Sequence, residues 1–203
     1  MAALVNPHGG DLTFARARMG RAPLDFSANL NPLGLPAAVR AAAAEALEDS
    51  GAYPDPHCRA LRAALALREG VDASRIRCGN GAADLIYRFA FAVRAENVLI
   101  PMPTFCEYAL AFEASGSRTL RHQAHSDAGF ALAEEVLPRL TDVQALCLCN
   151  PNNPTGLTVD PELLTDILDR SRTLHLPVLL DECFVDFLDE PDRHTKIGCL
   201  EAY

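Results

Sequence analysis

The sequence has 203 residues, of which 49% are hydrophobic and 22% are charged. At roughly 150 residues per domain, this length predicts one large domain or one domain with additional segments, and the apolar content excludes a disordered chain. The 18 basic and 27 acidic residues give a net charge of −9. This charge argues against nucleic acid or an anionic membrane surface as a partner, because both would be repelled.

The sequence contains no apolar segment long enough to cross a bilayer, and residues 1–21 lack the hydrophobic stretch of a signal peptide. We therefore expect a cytoplasmic protein. The seven cysteines are odd in number and include no C-x-x-C pair, which favours reduced thiols over disulfides. Cys147 and Cys149 lack the spacing of a metal site, so no bound metal is expected.

Helical patterns come first in chain order. The alanine-rich residues 37–47 predict a helix that begins after Pro36, and residues 56–69 predict a second helix that ends at Gly70. From residue 75 onward, short β-like runs alternate with helix-like runs. Strands are predicted at 75–78, 97–101, 118–123, 143–149 and 177–180, and helices at 82–94, 104–115, 130–140 and 160–175. This alternation predicts an α/β fold of three layers, αβα, with a mainly parallel sheet between the helices.

Ligands of open α/β sheets bind in the loops that follow the C-terminal ends of strands, and several such loops are distinctive in this sequence. The loop GNGAAD at residues 79–84 opens a helix, so its free backbone N–H groups and the helix dipole favour a bound phosphate. It does not fit a dinucleotide fingerprint, because Asp84 replaces the third glycine. The interpretations are a site for a single phosphate or an ordinary tight turn.

Two further loops place polar side chains at strand ends. The prolines and glycine of NPNNPTG at residues 150–156 restrict the backbone and hold Asn153 rigidly, as for a ligand contact, although such residues also form ordinary turns. Asp181 ends the apolar run PVLL. A carboxylate there is destabilising unless a cation or hydrogen-bond donors meet it. The alternative role for Asp181 is to cap the following turn.

Taken in chain order, these features resemble the fold-type I enzymes that use pyridoxal 5′-phosphate, in the class I/II aminotransferase family. They are the phosphate loop, an aromatic residue after Pro103 and Thr104, a rigid asparagine and a strand-end aspartate. The resemblance implies that Asp181 is the catalytic residue that pairs with the protonated pyridine nitrogen of the cofactor. It also implies that Asn153 hydrogen-bonds the ring oxygen O3′ and that Phe105 stacks on the ring.

Other parts of the cofactor site follow from the same resemblance. The backbone N–H groups of Ala82 and Ala83 would bind the cofactor phosphate. Tyr53 matches a tyrosine that reaches the cofactor phosphate of the neighbouring subunit, which implies a homodimer. For Phe105 and Tyr53 the alternative is a structural role as core aromatics. The resemblance makes residues 1–52 an N-terminal arm with the first helix, and residues 53–203 the N-terminal part of the large cofactor-binding domain.

The N-terminal third narrows the resemblance within this family. The motif His8-Gly9-Gly10 and the segment LDFSANLNPLG at residues 24–34 are similar to threonine-phosphate decarboxylases, which are related to histidinol-phosphate aminotransferases. This implies decarboxylation of L-threonine O-3-phosphate to aminopropanol phosphate in cobalamin biosynthesis. His8 and Asn31 would bind this phosphorylated substrate.

Two alternatives stay open beside this reading of the N-terminal third. Phe184 stands where the aminotransferases usually have a tyrosine whose hydroxyl meets O3′. The first alternative is nevertheless an aminotransferase acting on histidinol phosphate or a similar amine, because such an enzyme shares nearly every other cofactor residue. His8 has the alternative of a solvent-exposed residue in an N-terminal arm.

The sequence ends at Tyr203, before the segment in which this family carries the lysine that forms a Schiff base with the cofactor. We therefore expect an N-terminal fragment of a longer enzyme, with the sheet truncated on its C-terminal side. Lys196 is the only lysine and lacks the serine-x-x-lysine context of the family, so it is interpreted as a surface residue. A further alternative is an inactive fragment that binds the cofactor or pairs with another subunit.

Overall fold

The computed structural model describes residues 9–200. The chain divides into two compact units, Met1–Cys58 and Arg59–Tyr203. Within the described range, no helix is both long enough and apolar enough to cross a membrane. His8, which the sequence assigns to the substrate, lies outside the described residues.

The first unit contains two short helices. Helix α1 (Leu12–Met19) begins at Asp11, whose side chain accepts the backbone N–H of the third helical residue at 2.9 Å, and it ends at Gly20 in the left-handed conformation with φ 66°. Helix α2 (Ala37–Ala46) follows Pro36. Proline is suited to this position because its fixed φ matches the helix and its missing N–H is not needed in the first turn. The predicted helix at 37–47 is confirmed to within one residue at its end.

The second unit is built on a parallel sheet with strand order β2-β1-β3-β4. Its strands are β1 (Asn97–Met102), β2 (Arg118–Gln123), β3 (Ala145–Cys149) and β4 (Val178–Asp181), and its helices are α3 (Arg59–Glu69), α4 (Gly81–Val93), α5 (Cys106–Ala114) and α6 (Pro161–Thr173). All three strand pairs are parallel. The predicted α/β class with a parallel sheet is therefore confirmed.

The sheet separates two hydrophobic cores, one on each face. Leu99 of β1 and Leu146 of β3 pack with the apolar side of α6, whereas Val98 and Ala145 pack with α4 and α5. This division follows from the alternation of side chains along a strand. Every residue of β3 is buried, as expected for a strand covered by helices on both faces. The three-layer αβα arrangement is thus present in the second unit.

Two predicted elements are wrong. In the described chain, residues 76–79 belong to no strand, and the 3₁₀ turn Ala73–Arg75 occupies the start of the strand predicted at 75–78. Asp72 fixes that turn by accepting the Ser74 N–H at 2.7 Å. The helix predicted at 130–140 is replaced by a 3₁₀ segment, Glu134–Asp142, that contains Pro138. Proline has no N–H for an α-helical hydrogen bond, which disfavours the longer helix.

Candidate active site

The direction in which the sheet grows reverses between β1 and β3. The chain passes from β1 to β2 on one side, and β3 then pairs with β1 on the other side. In open parallel sheets the crevice outside the carboxyl ends of two such strands binds ligands. Phe105 and Asn153 lie in the loops that leave β1 and β3, and Asp181 ends the adjacent strand β4 in register with Cys149. The fold therefore brings Phe105, Asn153 and Asp181 to one edge of the sheet.

Asp181 is partly buried and is held by neutral donors. Its Oδ2 accepts the Tyr108 hydroxyl at 2.8 Å, and its Oδ1 accepts the Cys183 backbone N–H at 2.9 Å. The Cys183 contact is the turn-capping role that the sequence left as the alternative, and the role of Asp181 toward a ring nitrogen stays a prediction. None of the ion pairs within residues 9–200 includes Asp181. The carboxylate is thus oriented while its remaining lone pairs can meet a cation.

Tyr108, on α5, is the residue of this site that the sequence interpretation misses. Its side chain is 1% exposed, and its ring meets the ring of Phe105 edge-on with centroids 5.6 Å apart. Burial, and then the neighbouring Cys149 and Asp181, raise the pKa of its hydroxyl far above the usual value, so it remains a neutral donor at physiological pH. No local pattern in the sequence signals its role, because its partner Asp181 is 73 residues away along the chain.

Asn153 is half-buried in the loop after β3. Its backbone N–H bonds to the sulfur of Cys149, and burial of this thiol raises its pKa. In the described part of the chain, the side-chain amide of Asn153 forms no hydrogen bond. A half-buried amide whose donor and acceptor are both free is suited to bind a ligand oxygen.

Helix α4 begins in the glycine loop, as the sequence predicts. Gly81 has φ 77° and open space where a side chain would be, and the N–H groups of Ala82 and Ala83 belong to the first turn, which has no intrahelical acceptors. The Asp84 carboxylate accepts a loop N–H at 2.9 Å and the Nε of Arg88 at 2.8 Å. Arg88 therefore balances a negative charge that would otherwise oppose an anion at this helix terminus.

Phe184 and Lys196 follow β4. Phe184 is half-buried beside Phe187, with ring centroids 6.0 Å apart. Lys196 is half-buried rather than fully exposed. Its Nζ donates to Thr165 Oγ1 at 3.3 Å, and its backbone N–H donates to Glu182 Oε1 at 2.7 Å. These contacts place Lys196 against α6, which is a structural position.

In the first unit, the two N-terminal motifs contact each other. The Gly10 N–H donates to Ser27 Oγ at 2.8 Å, and a Cβ at Gly9 would lie 1.7 Å from the Ser27 backbone oxygen, so only glycine fits there. The Asn31 side chain accepts the N–H of the residue two positions ahead at 2.9 Å. Tyr53 is exposed. The ligand roles expected for Asn31 and Tyr53 stay predictions.

The parallel sheet, with the loops and side chains at the carboxyl ends of its strands, defines an α/β protein of the kind that binds ligands at this edge. Comparison with known proteins gives the family. The chain belongs to the family "Aminotransferase class I and II", whose sequence profile matches residues 21–202. Enzymes of this family use pyridoxal 5′-phosphate, so the predicted family, enzyme class and cofactor type are confirmed.

Individual relatives show which members the chain is similar to. The threonine-phosphate decarboxylase of Salmonella typhimurium is 39% identical over 192 residues, which are 93% of this chain and 53% of that protein. Histidinol-phosphate aminotransferase 1 of Cupriavidus pinatubonensis is 31% identical over 180 residues, which are 88% of this chain and 47% of that protein. The chain therefore spans about half the length of the curated relatives it matches.

A solved structure shows the same relationship. The histidinol-phosphate aminotransferase from Clostridium acetobutylicum matches with a TM-score of 0.80 and 26% identity over 89% of this chain and 53% of that chain. The L-threonine-O-3-phosphate decarboxylase from Porphyromonas gingivalis matches with a TM-score of 0.60 and 27% identity over 72% of this chain and 42% of that chain. Both kinds of enzyme thus share this fold.

Proposed function

We propose that the protein carrying this sequence decarboxylates L-threonine O-3-phosphate to aminopropanol phosphate with pyridoxal 5′-phosphate, as a cytoplasmic step of cobalamin biosynthesis. The observation that carries the proposal is the 39% identity to a threonine-phosphate decarboxylase, against 31% for a histidinol-phosphate aminotransferase over a similar share of the chain. A relative named "Adenosylcobalamin biosynthesis bifunctional protein CobDQ" from Leptospira interrogans, 33% identical over 198 residues, supports the assignment to cobalamin biosynthesis.

The residues at the carboxyl edge fit the cofactor chemically. Asp181 offers a partly buried carboxylate without a cationic partner in the described chain, which suits a protonated ring nitrogen. Asn153 offers a free amide for the ring oxygen O3′, and Phe105 offers an aromatic face. The first turn of α4, at Ala82 and Ala83, offers backbone N–H groups for a phosphate.

Pyridoxal phosphate supplies an electron-accepting ring that stabilises negative charge at the substrate Cα. In the proposed mechanism, Asp181 holds the proton on the ring nitrogen, which keeps the ring electron-poor. Tyr108 and the Cys183 N–H keep the carboxylate of Asp181 aimed. Asn153 donates to O3′, and Phe105 covers one ring face and excludes water from it.

Residues of the first unit complete the proposal. We expect Tyr53 to reach the cofactor phosphate of a second subunit, so that the enzyme is a homodimer. We expect His8 and Asn31 to bind the phosphorylated amino acid. Tyr53→Phe is expected to weaken retention of the cofactor. Equilibrium sedimentation measures the oligomeric state, and an active enzyme that is monomeric would contradict the expected homodimer.

The second candidate function is transamination of histidinol phosphate or a similar amine. It is favoured by the TM-score of 0.80 to a histidinol-phosphate aminotransferase. Phe184 argues for the decarboxylase, because a phenylalanine cannot donate the hydrogen bond to O3′ that the tyrosine of the aminotransferases makes. The loss of that donor changes how the ring distributes charge.

A product assay on the protein that carries this sequence separates the two functions. It is supplied with L-threonine O-3-phosphate, and separately with histidinol phosphate and 2-oxoglutarate. The expected result is release of carbon dioxide from the first mixture and no glutamate from the second. Glutamate formation without carbon dioxide would overturn the decarboxylase proposal. Phe184→Tyr is expected to raise the share of transamination, and an unchanged ratio would remove the argument from that position.

A further inference from the structure

The Asn152 side chain joins the two loops that leave β1 and β3. Its Oδ1 accepts the Thr104 hydroxyl at 2.8 Å, and its Nδ2 donates to the Pro103 carbonyl oxygen at 2.9 Å and to Thr155 Oγ1 at 2.9 Å. Two of these three partners lie on the loop after β1, 48 and 49 residues away along the chain. Asn152 therefore uses both amide hydrogens and its carbonyl oxygen as a bridge between separate loops.

The backbone of Asn152 is fixed as well. Its N–H donates to the Leu157 carbonyl oxygen at 2.8 Å, and its carbonyl oxygen accepts the Gly156 N–H at 2.7 Å. Gly156 has φ 72°, a conformation that favours glycine. The loop after β3 is thus closed on itself at the residue that also bridges to the neighbouring loop.

This bridge lies directly beside two proposed cofactor residues. Thr104 precedes Phe105, and Asn152 precedes Asn153. Phe105 is expected to cover the ring face, and Asn153 is expected to bind O3′. A shift of one loop relative to the other would misplace one of the two contacts, and sub-ångström placement matters for such sites.

We propose that Asn152 is a positioning residue, which sets the distance between Phe105 and Asn153 by bridging the loops after β1 and β3. The inference rests on the proposed function, because those two residues are cofactor ligands only there. Asn152 itself reaches no cofactor atom in this assignment. Its two donors and one acceptor are already used within the protein.

The chemistry of the bridge distinguishes close variants. Asn152→Asp keeps the acceptor for Thr104 and can accept the Thr155 hydroxyl, but it replaces the donor facing the Pro103 carbonyl oxygen by another oxygen, so these two oxygens repel each other. Thr104→Val removes one of the three hydrogen bonds at nearly constant volume, and Thr104→Ser restores the hydroxyl. We expect the order of cofactor affinity to be wild type, Thr104→Ser, Thr104→Val and then Asn152→Asp.

Gln144 provides the matched control. Its Oε1 accepts the Asn97 N–H at 2.9 Å, so it bridges the same two strands, β1 and β3, at their opposite, N-terminal edge. Gln144→Ala removes a bridge between these strands far from the cofactor residues. A purely structural loss should therefore affect Gln144→Ala and the Asn152 variants alike.

The experiment titrates the protein carrying this sequence with pyridoxal 5′-phosphate. Affinity is measured by equilibrium dialysis, and the orientation of the ring by circular dichroism in the cofactor absorption band. Asn152→Asp is expected to weaken binding about tenfold or more, the effect of losing one to two hydrogen bonds, and to reduce the cofactor dichroism. The thermal midpoint of each variant is measured beside its affinity, and Gln144→Ala should keep wild-type affinity and dichroism.

The outcomes separate the inference from the proposed function. If wild-type protein binds the cofactor and both Asn152→Asp and Thr104→Val bind it equally well with unchanged dichroism, the positioning role is overturned. Equal losses in Gln144→Ala would also overturn it, because a general loss of stability would then explain the effect. If the wild-type protein does not bind the cofactor at all, the proposed function fails, and the inference fails with it. Thr104→Val keeps the test decisive should Asn152→Asp not fold.

Discussion

Removal of the Tyr108 hydroxyl tests how Asp181 is held. Tyr108→Phe deletes the donor 2.8 Å from Asp181 Oδ2 and leaves the ring, with its edge-on contact to Phe105, in place. Because no carbon is lost, the change creates no cavity of the kind that follows truncation of a core side chain. The measured effect is therefore that of the hydroxyl contacts, with Asp181 and with the neighbouring Cys149.

The magnitude follows from the charge and exposure of the acceptor. Hydrogen bonds to charged groups contribute about 1.5–3 kcal/mol. Asp181 is only partly buried, so water can replace part of the lost contact, and its Oδ1 keeps the Cys183 N–H. We expect a loss of about 1.5 kcal/mol in the free energy of unfolding, at the lower end of that range. For a protein of this size that corresponds to a fall of about 3–6 °C in Tm.

The pH dependence gives a second, independent signature. The pKa of Tyr108 is raised above its usual value of 10.0 in the folded protein, so above pH 10 the unfolded chain releases this proton more readily than the folded one. The unfolded state then binds fewer protons, and stability falls as pH rises through this range. The contribution of the Tyr108 hydroxyl to the free energy of unfolding is fully present below pH 10 and is lost as the pH rises further. Tyr108→Phe has no hydroxyl, so its stability does not show this loss. The difference between wild type and variant should therefore shrink above pH 10.

The assay is urea unfolding monitored by circular dichroism at several pH values. Tyr87→Phe is the matched control, because the Tyr87 hydroxyl bonds to Glu107 on the α4–α5 contact and not to Asp181. We expect Tyr108→Phe to lower the unfolding midpoint more than Tyr87→Phe, with an unchanged m-value. Equal shifts in the two variants, or a difference that grows above pH 10, would refute the reasoning.

Three further changes have defined outcomes. In the protein carrying this sequence, Asp181→Asn should weaken the cofactor absorbance and turnover while leaving far-UV circular dichroism intact, and unchanged absorbance and turnover would show that the pyridinium assignment is wrong. Ile167 is fully buried in the core that α6 covers. Ile167→Ala should lower the free energy of unfolding, measured in urea, by about 2–5 kcal/mol, and Ile167→Val should lower it by about 0.5–1.5 kcal/mol. Burial raises the pKa of Cys147 well above its usual value, so iodoacetamide at pH 8 should alkylate exposed Cys199 first. Equal labelling of both thiols by mass spectrometry would contradict this.

Much of the fold could be predicted because local sequence and tertiary packing agree. The strand predicted at 118–123 matches β2 residue for residue, and the strand predicted at 177–180 matches β4, Val178–Asp181, to within one residue at each end. Strands covered on both faces have continuous apolar runs, which are visible in sequence. The helix predicted at 130–140 is wrong because apolar spacing outweighed Pro138, whose missing N–H disfavours an α-helix.

Residues of the candidate site can be predicted from sequence only where the backbone geometry places a side chain. Asp181 ends β4 and Asn153 lies in the loop after β3, and both places can be located from hydrophobic runs and from the turn residues that follow. Tyr108 and Asn152 could not be assigned in this way. Their partners, Asp181 and Thr104, are 73 and 48 residues distant and become neighbours only through the order of the strands. Such contacts depend on tertiary structure rather than on local pattern.

The donors around Asp181 favour a binding role over a purely structural one. A carboxylate that serves only to cap a turn is best placed in solvent or beside a cation, because a partly buried charge otherwise loses hydration. Asp181 instead receives only neutral groups, the Tyr108 hydroxyl and the Cys183 N–H, while the cations that the structure pairs with carboxylates lie elsewhere, such as Arg88 with Asp84. Neutral donors orient the carboxylate without compensating its charge. The charge therefore remains available to a cation, which is what the proposed pairing of Asp181 with a protonated ring nitrogen needs.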